Sequence, residues 1–193
     1  MAKKESSLVN MVFSLFVINI ISAASLGFVY LITVEPIKEA KDVKQNFAVM
    51  AVLPEHDNSP ASDTCKIKSY DGGEKLTCYH ATKNGELTGF AVETWTMKGF
   101  SGLIRLMVGF DKEGKIFNIS ILEHKETPGL GTKMADNEFI EQYRGKNPGT
   151  SILKVKKDGG DIDAITAATI SSRAFSDAVQ RAYKSLEEAG KLE

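Results

Sequence analysis

The segment from residue 102 to residue 123 reads GLIRLMVGFDKEGKIFNISILE and predicts two strands joined by a turn. Apolar residues recur through residues 102–110 and 115–123, and Asp111-Lys112-Glu113-Gly114 between them is a four-residue turn sequence. Strands joined by so short a turn pair antiparallel. The segment therefore predicts a β-hairpin within an antiparallel sheet.

More strands are predicted on the N-terminal side of this hairpin. Residues 87–96 alternate between apolar and polar positions, as a strand with one buried face does. Residues 65–70 and 75–80 flank Asp71-Gly72, which is typical of a two-residue hairpin turn. Several antiparallel strands are thus predicted.

Cys65 and Cys78 are the chain's two cysteines, and they lie in this second hairpin. Centring the turn on Asp71-Gly72 places them opposite each other, at a separation that a disulfide tolerates. The same register places Lys68 opposite Lys75, which is mildly unfavourable. A disulfide and two free thiols both remain open.

Two helices are predicted after the strands. One covers residues 133–144, with Thr132 as its N-cap and Gly145 at its end, and the other covers residues 171–189. The predicted fold class is α+β, an antiparallel sheet with packed helices, preceded by one N-terminal transmembrane helix.

Residues 8–34 contain no charged residue and are long enough to span a bilayer. A cleaved signal peptide is the alternative, but the apolar run continues well past any cleavage site. Pro36 is expected in the first turn of a further amphipathic helix that ends near Leu53. The expected organisation is a cytoplasmic N-terminus (1–7), a transmembrane helix (8–34), a linker helix and loop (35–62) and an extracytoplasmic domain (63–193).

The charges bear on orientation and partners. Lys3 and Lys4 favour a cytoplasmic N-terminus, although three lysines follow the apolar run at residues 38–44. The net charge is −1 and no basic patch is visible, which argues against a nucleic-acid partner. His56, His80 and His124 have no metal-ligand spacing, so no metal site is predicted.

Residues 158–175, DGGDIDAITAATISSRAF, place several hydroxyl groups at the start of the last predicted helix. Unpaired N–H groups and the helix dipole make such a start suitable for a phosphate. An ordinary Ser or Thr cap is the alternative that the residues alone leave open.

Residues 124–134, HKETPGLGTKM, form the second segment of interest. Gly129 and Gly131 flank Leu130, so the backbone can approach a flat ligand closely. A simple tight loop is the alternative. The segment is not GxGxxG and follows no parallel-sheet pattern, so a dinucleotide fold is not indicated.

Together these segments closely resemble the FMN-binding domain shared by the G subunit of the Rnf electron-transport complex and the C subunit of the Na⁺-translocating NADH:quinone reductase. Residues 163–171, DAITAATIS, match the family motif Asp-x-x-Ser/Thr-Gly-Ala-Thr-x-Ser/Thr except at Ala167. Residues 126–131, ETPGLG, match a second signature, and residues 99–104, GFSGLI, are similar to a third. The resemblance covers nearly the whole chain, and the chain's compact length is closer to the Rnf protein.

The resemblance implies that a flavin transferase attaches FMN through a phosphoester to Thr169. It implies no catalytic residue of the chain's own. Further cofactor-binding positions come from the same segments: Thr166, Ala168, Ile170, Ser171, Ser172, Glu126, Thr127, Pro128, Gly129, Leu130, Gly131 and Leu103.

The implied function is electron transfer in a membrane complex that couples ferredoxin/NAD chemistry to Na⁺ or H⁺ translocation. The implied partners are the integral and peripheral subunits of an Rnf-type complex, the flavin transferase and the membrane. Three alternatives are the quinone-reductase C subunit, a free-standing flavoprotein reductase and a non-redox assembly module whose flavin site has decayed. Ala167, where the family has glycine, is the one feature that favours the last. We expect an ordinary φ at Ala167, which would make the change nearly silent.

Overall fold

The computed structural model describes residues 7–192. These residues belong to two compact units, which meet between Val43 and Lys44 in the sequence. Helix α1 (Leu8–Val52) supplies the described part of the first unit and the beginning of the second. By length and composition it can cross a membrane. The two helical segments expected on either side of Pro36 are one helix, with Pro36 inside it and not in a first turn.

The second unit contains a five-stranded antiparallel sheet in the order β1-β2-β3-β4-β5. Each strand pairs with its neighbour in sequence, and the two predicted hairpins are confirmed. The strands are β1 (Thr64–Ile67), β2 (Leu76–Lys83), β3 (Glu86–Gly99), β4 (Gly102–Asp111) and β5 (Ile116–His124).

Two layers cover the sheet within this unit. Helix α3 (Thr169–Glu188) packs on one face, where its apolar side forms the main core with the strands. The last turns of α1, with Ala48, Val49 and Val52, pack on the other face against Tyr79 and Met107. The predicted α+β class is confirmed.

The helix expected over residues 133–144 is shorter and begins later. A 3₁₀ helix (Gly131–Ala135) precedes helix α2 (Asn137–Glu141). Asp136 between them is extended, with ψ 139°, and this separates the two. Thr132 lies inside the 3₁₀ helix, so the prediction that it caps an α-helix is wrong.

The β1–β2 hairpin has the predicted register but not the predicted turn. Cys65 pairs with Cys78 across the two strands, and both thiols are free. Residues 68–75 form a loop because Asp71 accepts hydrogen bonds from Ser69 and Gly73 instead of sitting in a two-residue turn. The expected Lys68–Lys75 strand pair is therefore absent from the described sheet.

Candidate functional site

A cleft of about 300 Å³ opens at the first turn of α3. Its walls come from the β3–β4 turn, the loop after β5 and the residues around the helix start. The volume is at the lower end of the range for small-molecule sites, so a ligand as large as a flavin nucleotide would extend beyond it. The lining residues are Phe100, Glu126, Thr127, Leu130, Gly131, Ala167, Ala168, Thr169, Ile170 and Ser171.

The start of α3 has free hydrogen-bonding capacity. Ala168 occupies the N-cap position and provides no side-chain cap, and the Ser172 N–H is the donor to the Ala168 carbonyl, at 3.1 Å. The N–H groups before Ser172 therefore have no acceptor within the helix. Thr169, half-buried, is the first helical residue. Its hydroxyl thus lies where backbone groups and the helix dipole favour an anion.

A buried serine fixes the turn that leads into the helix. Ser172 Oγ accepts a hydrogen bond from the Ile165 N–H, at 3.0 Å, and donates one to the Ala168 carbonyl, also at 3.0 Å. These bonds hold the ends of the segment 165–168 together, and the Ala168 N–H closes it by donating to the Ile165 carbonyl at 2.9 Å.

Ala167 lies in this turn with φ +61°, in the left-handed region. The expectation of an ordinary φ at this position is wrong. The closed turn between Ile165 and Ala168 imposes this φ on Ala167. Glycine at this position would adopt the same φ without the steric penalty that a Cβ causes. The alanine therefore carries strain of about 1–2 kcal/mol, yet the helix start is formed.

Glu126 holds the floor of the cleft together. Its side chain is buried, with 5% of its surface exposed. One carboxylate oxygen accepts from the Ser171 hydroxyl at 2.9 Å, and the other accepts from the Ser101 N–H at 3.1 Å. A single carboxylate thus joins the β3–β4 turn, the loop after β5 and the first turn of α3.

Two glycines make room for this carboxylate. A Cβ at Gly131 would lie 2.7 Å from Glu126 Cβ and Oε2, and 2.9 Å from Ser171 Oγ. A Cβ at Gly99 would lie 2.6 Å from Glu126 Oε1. Gly131 is therefore required for close packing, while Gly129, with φ +77° and no atom within 4 Å, is required only for its backbone conformation.

The electrostatics of the cleft are simple. Among the described residues that line it, Glu126 alone is ionisable. Arg173, one turn into α3, is engaged by Asp158 through hydrogen bonds of 2.6 and 2.7 Å, which lower the pKa of Asp158. The described lining thus offers hydroxyl and N–H groups for binding, and its one hydroxyl–carboxylate pair, Ser171 and Glu126, is buried.

The structure brings eight of the predicted cofactor-binding residues into the cleft lining: Glu126, Thr127, Leu130, Gly131, Ala168, Thr169, Ile170 and Ser171. Thr166 lines a neighbouring cavity of about 240 Å³ beside α2, and Leu103 lines a groove with Trp95 and Arg105. Pro128 and Gly129 lie in the exposed loop next to the cleft, and Ser172 is fully buried with both hydrogen bonds directed to backbone.

Phe100 was not among the predicted site residues. It lies in the β3–β4 turn, is 68% exposed, and lines the cleft together with the exposed side chains of Leu130 and Ile170. The sequence did contain a signal for Phe100, which is a large aromatic residue in a two-residue turn between glycines. A side chain in so short a turn cannot reach the core, so an exposed aromatic ring there indicates a binding surface.

These features fit FMN. The uncapped helix start and the Thr169 hydroxyl suit a phosphate, and the exposed apolar side chains of Phe100, Leu130 and Ile170 suit a flat ring system. Both oxygens of the buried Glu126 carboxylate accept hydrogen bonds from Ser101 and Ser171, so they leave the N–H groups at the helix start free for a phosphate.

Comparisons with known proteins agree with this assignment. The chain matches the family model of the FMN-binding domain over residues 99–184. It is 37% identical over 174 residues to the G subunit of the ion-translocating oxidoreductase complex of Vibrio parahaemolyticus, covering 83% of this chain and 82% of the relative. It is 35% identical over 176 residues to the G subunit of the Na(+)-translocating ferredoxin:NAD(+) oxidoreductase complex of Acetobacterium woodii, covering 86% and 84%.

Among solved structures, the chain is similar to NqrC of Shewanella oneidensis. The TM-score is 0.46 and the identity 20%, over 62% of each chain.

Proposed function

The chain belongs to the family of G subunits of ion-translocating oxidoreductase complexes, and from this premise we propose that it is an electron-carrying flavoprotein subunit of such a complex. Its cofactor is FMN, joined by a phosphoester to Thr169. The observation that carries the proposal is the cleft at the start of α3, where the Thr169 hydroxyl lies beside uncapped N–H groups and an apolar rim.

Each part of the cleft has a role in holding the cofactor. The N–H groups ahead of Ser172 would bind the phosphoryl oxygens, and the left-handed turn at Ala167 holds Thr169 at the helix start. Phe100, Leu130 and Ile170, which line the cleft, would contact the ring system. Covalent attachment keeps the cofactor on a domain that is open to water.

FMN, when bound, supplies reversible one- and two-electron chemistry. The residues of this chain position it and exclude water from one side, and they provide no substrate site of their own. The subunit is therefore an electron relay between neighbouring redox centres. By analogy with the Acetobacterium relative, the complex couples electron transfer between ferredoxin and NAD to the movement of Na⁺ or H⁺ across the membrane.

The apolar part of α1, residues 8–34, anchors the subunit in the cytoplasmic membrane and contacts the integral subunits. Lys3 and Lys4 favour a cytoplasmic N-terminus, which places residues 63–193 on the extracytoplasmic side. Alkaline phosphatase fused after residue 193 tests this, because the fusion is active only outside the cytoplasm. An inactive phosphatase fusion together with a fluorescent GFP fusion would reverse the orientation.

The attachment is tested by co-expressing the full-length chain with a flavin transferase. Thr169→Val should abolish in-gel flavin fluorescence of the denatured chain and the FMN increment in its intact mass. Thr150→Val is the matched control, since Thr150 is an exposed threonine that lies outside the motif segments and does not line the cleft. Fluorescence that persists in Thr169→Val, or that is lost equally in Thr150→Val, would refute attachment at Thr169.

A non-redox assembly module is the second candidate, and the strained Ala167 favours it. The two are separated by the electron-transfer activity of membranes that carry the assembled complex. A relay predicts that Thr169→Val assembles normally but transfers no electrons, whereas an assembly module predicts unchanged activity.

A further inference from the structure

A second group of reactive side chains lies at the other end of α3, away from the cleft. Cys65 on β1 and Cys78 on β2 are directly opposite each other, and His80 follows Cys78 by two residues on the same face of its strand. The two Sγ atoms and a ring nitrogen of His80 all lie within 4.8 Å of one another. Cys65 Sγ is 3.9 Å from His80 Nε2.

The surroundings of this cluster hold its members in place. Cys78 is fully buried in the main core, while Cys65 is half-buried on the edge strand β1 and His80 is half-buried on its neighbour β2. The His80 ring packs edge-on against Phe90, with ring centroids 5.4 Å apart. The cluster is thus reachable from solvent on one side and rigid on the other.

The two nitrogens of His80 face different groups. Nε2 faces the thiols, whereas Nδ1 lies 4.0 Å from a carboxylate oxygen of Asp63. Metal-binding histidines commonly donate the outer N–H to a carboxylate, which orients the ring and makes the inner nitrogen a better ligand. At 4.0 Å Asp63 is not yet hydrogen-bonded, and a movement of about 1 Å would bring it into range.

We propose that Cys65, Cys78 and His80 form a binding site for one Zn²⁺ ion, with water as the fourth ligand. Thiolate sulfur and imidazole nitrogen are the ligands that zinc prefers, at about 2.3 and 2.0 Å. A tetrahedron with these bonds needs ligand atoms about 3.5–3.8 Å apart. The Cys65–His80 separation of 3.9 Å is already near that value, so small side-chain rotations suffice.

Burial raises the pKa of the Cys78 thiol, which opposes the thiolate form that a metal needs. Among the described residues, Lys191 also opposes a cation here. Its Nζ lies 3.4 Å from His80 Nε2, the nitrogen assigned to the metal. Binding therefore requires this long side chain to move aside, and its positive charge weakens the site. Removing the charge of Lys191 should therefore tighten metal binding. If Lys191 were itself a ligand, removing it would weaken metal binding instead.

The test is a Co²⁺ titration of the reduced, full-length protein in detergent, because Co²⁺ reports thiolate ligation by its absorption. We expect one Co²⁺ per chain, displaced by Zn²⁺. Cys65→Ser and His80→Gln should each weaken binding by at least about tenfold. Lys191→Met should strengthen it several-fold. His56→Gln is the matched control, because the His56 ring hydrogen-bonds to the Pro54 carbonyl and is not part of the cluster. This variant should bind Co²⁺ as the wild type does.

The same two thiols could instead form a disulfide, and the experiment separates the outcomes. Wild-type protein that shows no cobalt–thiolate absorption after reduction overturns the metal site, and a non-reduced mass lower by two hydrogens then identifies the disulfide. Absorption that survives Cys65→Ser also overturns it. Cys65 is used because it is half-buried, so its replacement disturbs the core less than that of Cys78 would.

Discussion

The two ends of helix α3 are fixed in the same way but border different chemistry. At the first turn, Ser172 Oγ accepts from the Ile165 N–H and donates to the carbonyl of Ala168, four residues earlier. At the last turn, Ser185 Oγ accepts from the Tyr70 N–H, at 3.1 Å, and donates to the carbonyl of Arg181, at 2.8 Å. Both serines are fully buried.

What differs is the set of groups that the neighbouring segments bring to each end. The first turn borders hydroxyl and N–H groups around Thr169, which suit an anion. The hairpin packed beside the last turn carries Cys65, Cys78 and His80, which donate electron pairs and suit a cation. The helix dipole favours this order, with negative charge at the start and positive charge at the end. One helix can therefore separate two binding chemistries.

The largest expected effect is at the first turn, through Glu126. Glu126→Leu removes the acceptor for the Ser101 N–H and the Ser171 hydroxyl, so the free energy of unfolding should fall by about 2–4 kcal/mol. Flavin attachment should fall with it. Urea unfolding of the full-length protein, produced without flavin transferase and followed by Trp95 fluorescence, measures the loss.

Glu123→Leu is the control for this prediction. Glu123 lies three residues earlier, its side chain is 36% exposed, and it pairs with Arg105 at 3.3 Å. A half-exposed ion pair contributes little, so the loss should stay below about 1 kcal/mol. Equal losses for Glu123→Leu and Glu126→Leu would show that Glu126 does not join the three segments as described.

The sequence predicted the sheet well because its signals are local. Strand alternation and turn residues placed the hairpins, and centring the first hairpin on Asp71-Gly72 set Cys65 opposite Cys78. The contacts of Glu126 are not local, since they reach residues 25 positions earlier and 45 positions later in the chain. The sequence named Glu126 through a motif but gave no information on what it contacts.

Spacing along the chain did not indicate the proposed metal-binding cluster, for a related reason. The histidines were judged by their spacing along the chain, whereas His80 is brought to Cys65 by strand pairing. Combining the predicted register with the two-residue strand period would have found it. The φ of Ala167, in contrast, follows from the hydrogen bonds that close its turn, and the glycine of the family motif at this position was the available signal.

The next effect tests whether the two serines are equivalent. Ser172→Ala and Ser185→Ala should each lower the free energy of unfolding by about 1–2 kcal/mol, because each leaves one loop N–H without its acceptor. Their functional effects should differ. Ser172→Ala should reduce flavin attachment and leave Co²⁺ binding unchanged, and Ser185→Ala should do the reverse. If both variants change both properties, the two ends of α3 are not independent.

The smallest effect concerns Ala167, and its sign is informative. Ala167→Gly should raise the free energy of unfolding by about 0.5–1 kcal/mol, because relief of the left-handed strain exceeds the entropy that glycine adds to the unfolded chain. Ala164→Gly, in the same loop without a positive φ, should lower it by about 0.5–1 kcal/mol. Urea unfolding of both variants measures the difference. If Ala167→Gly loses as much stability as Ala164→Gly, the turn before Thr169 is unstrained. The hypothesis of a decayed flavin site would then lose the one structural observation that supports it.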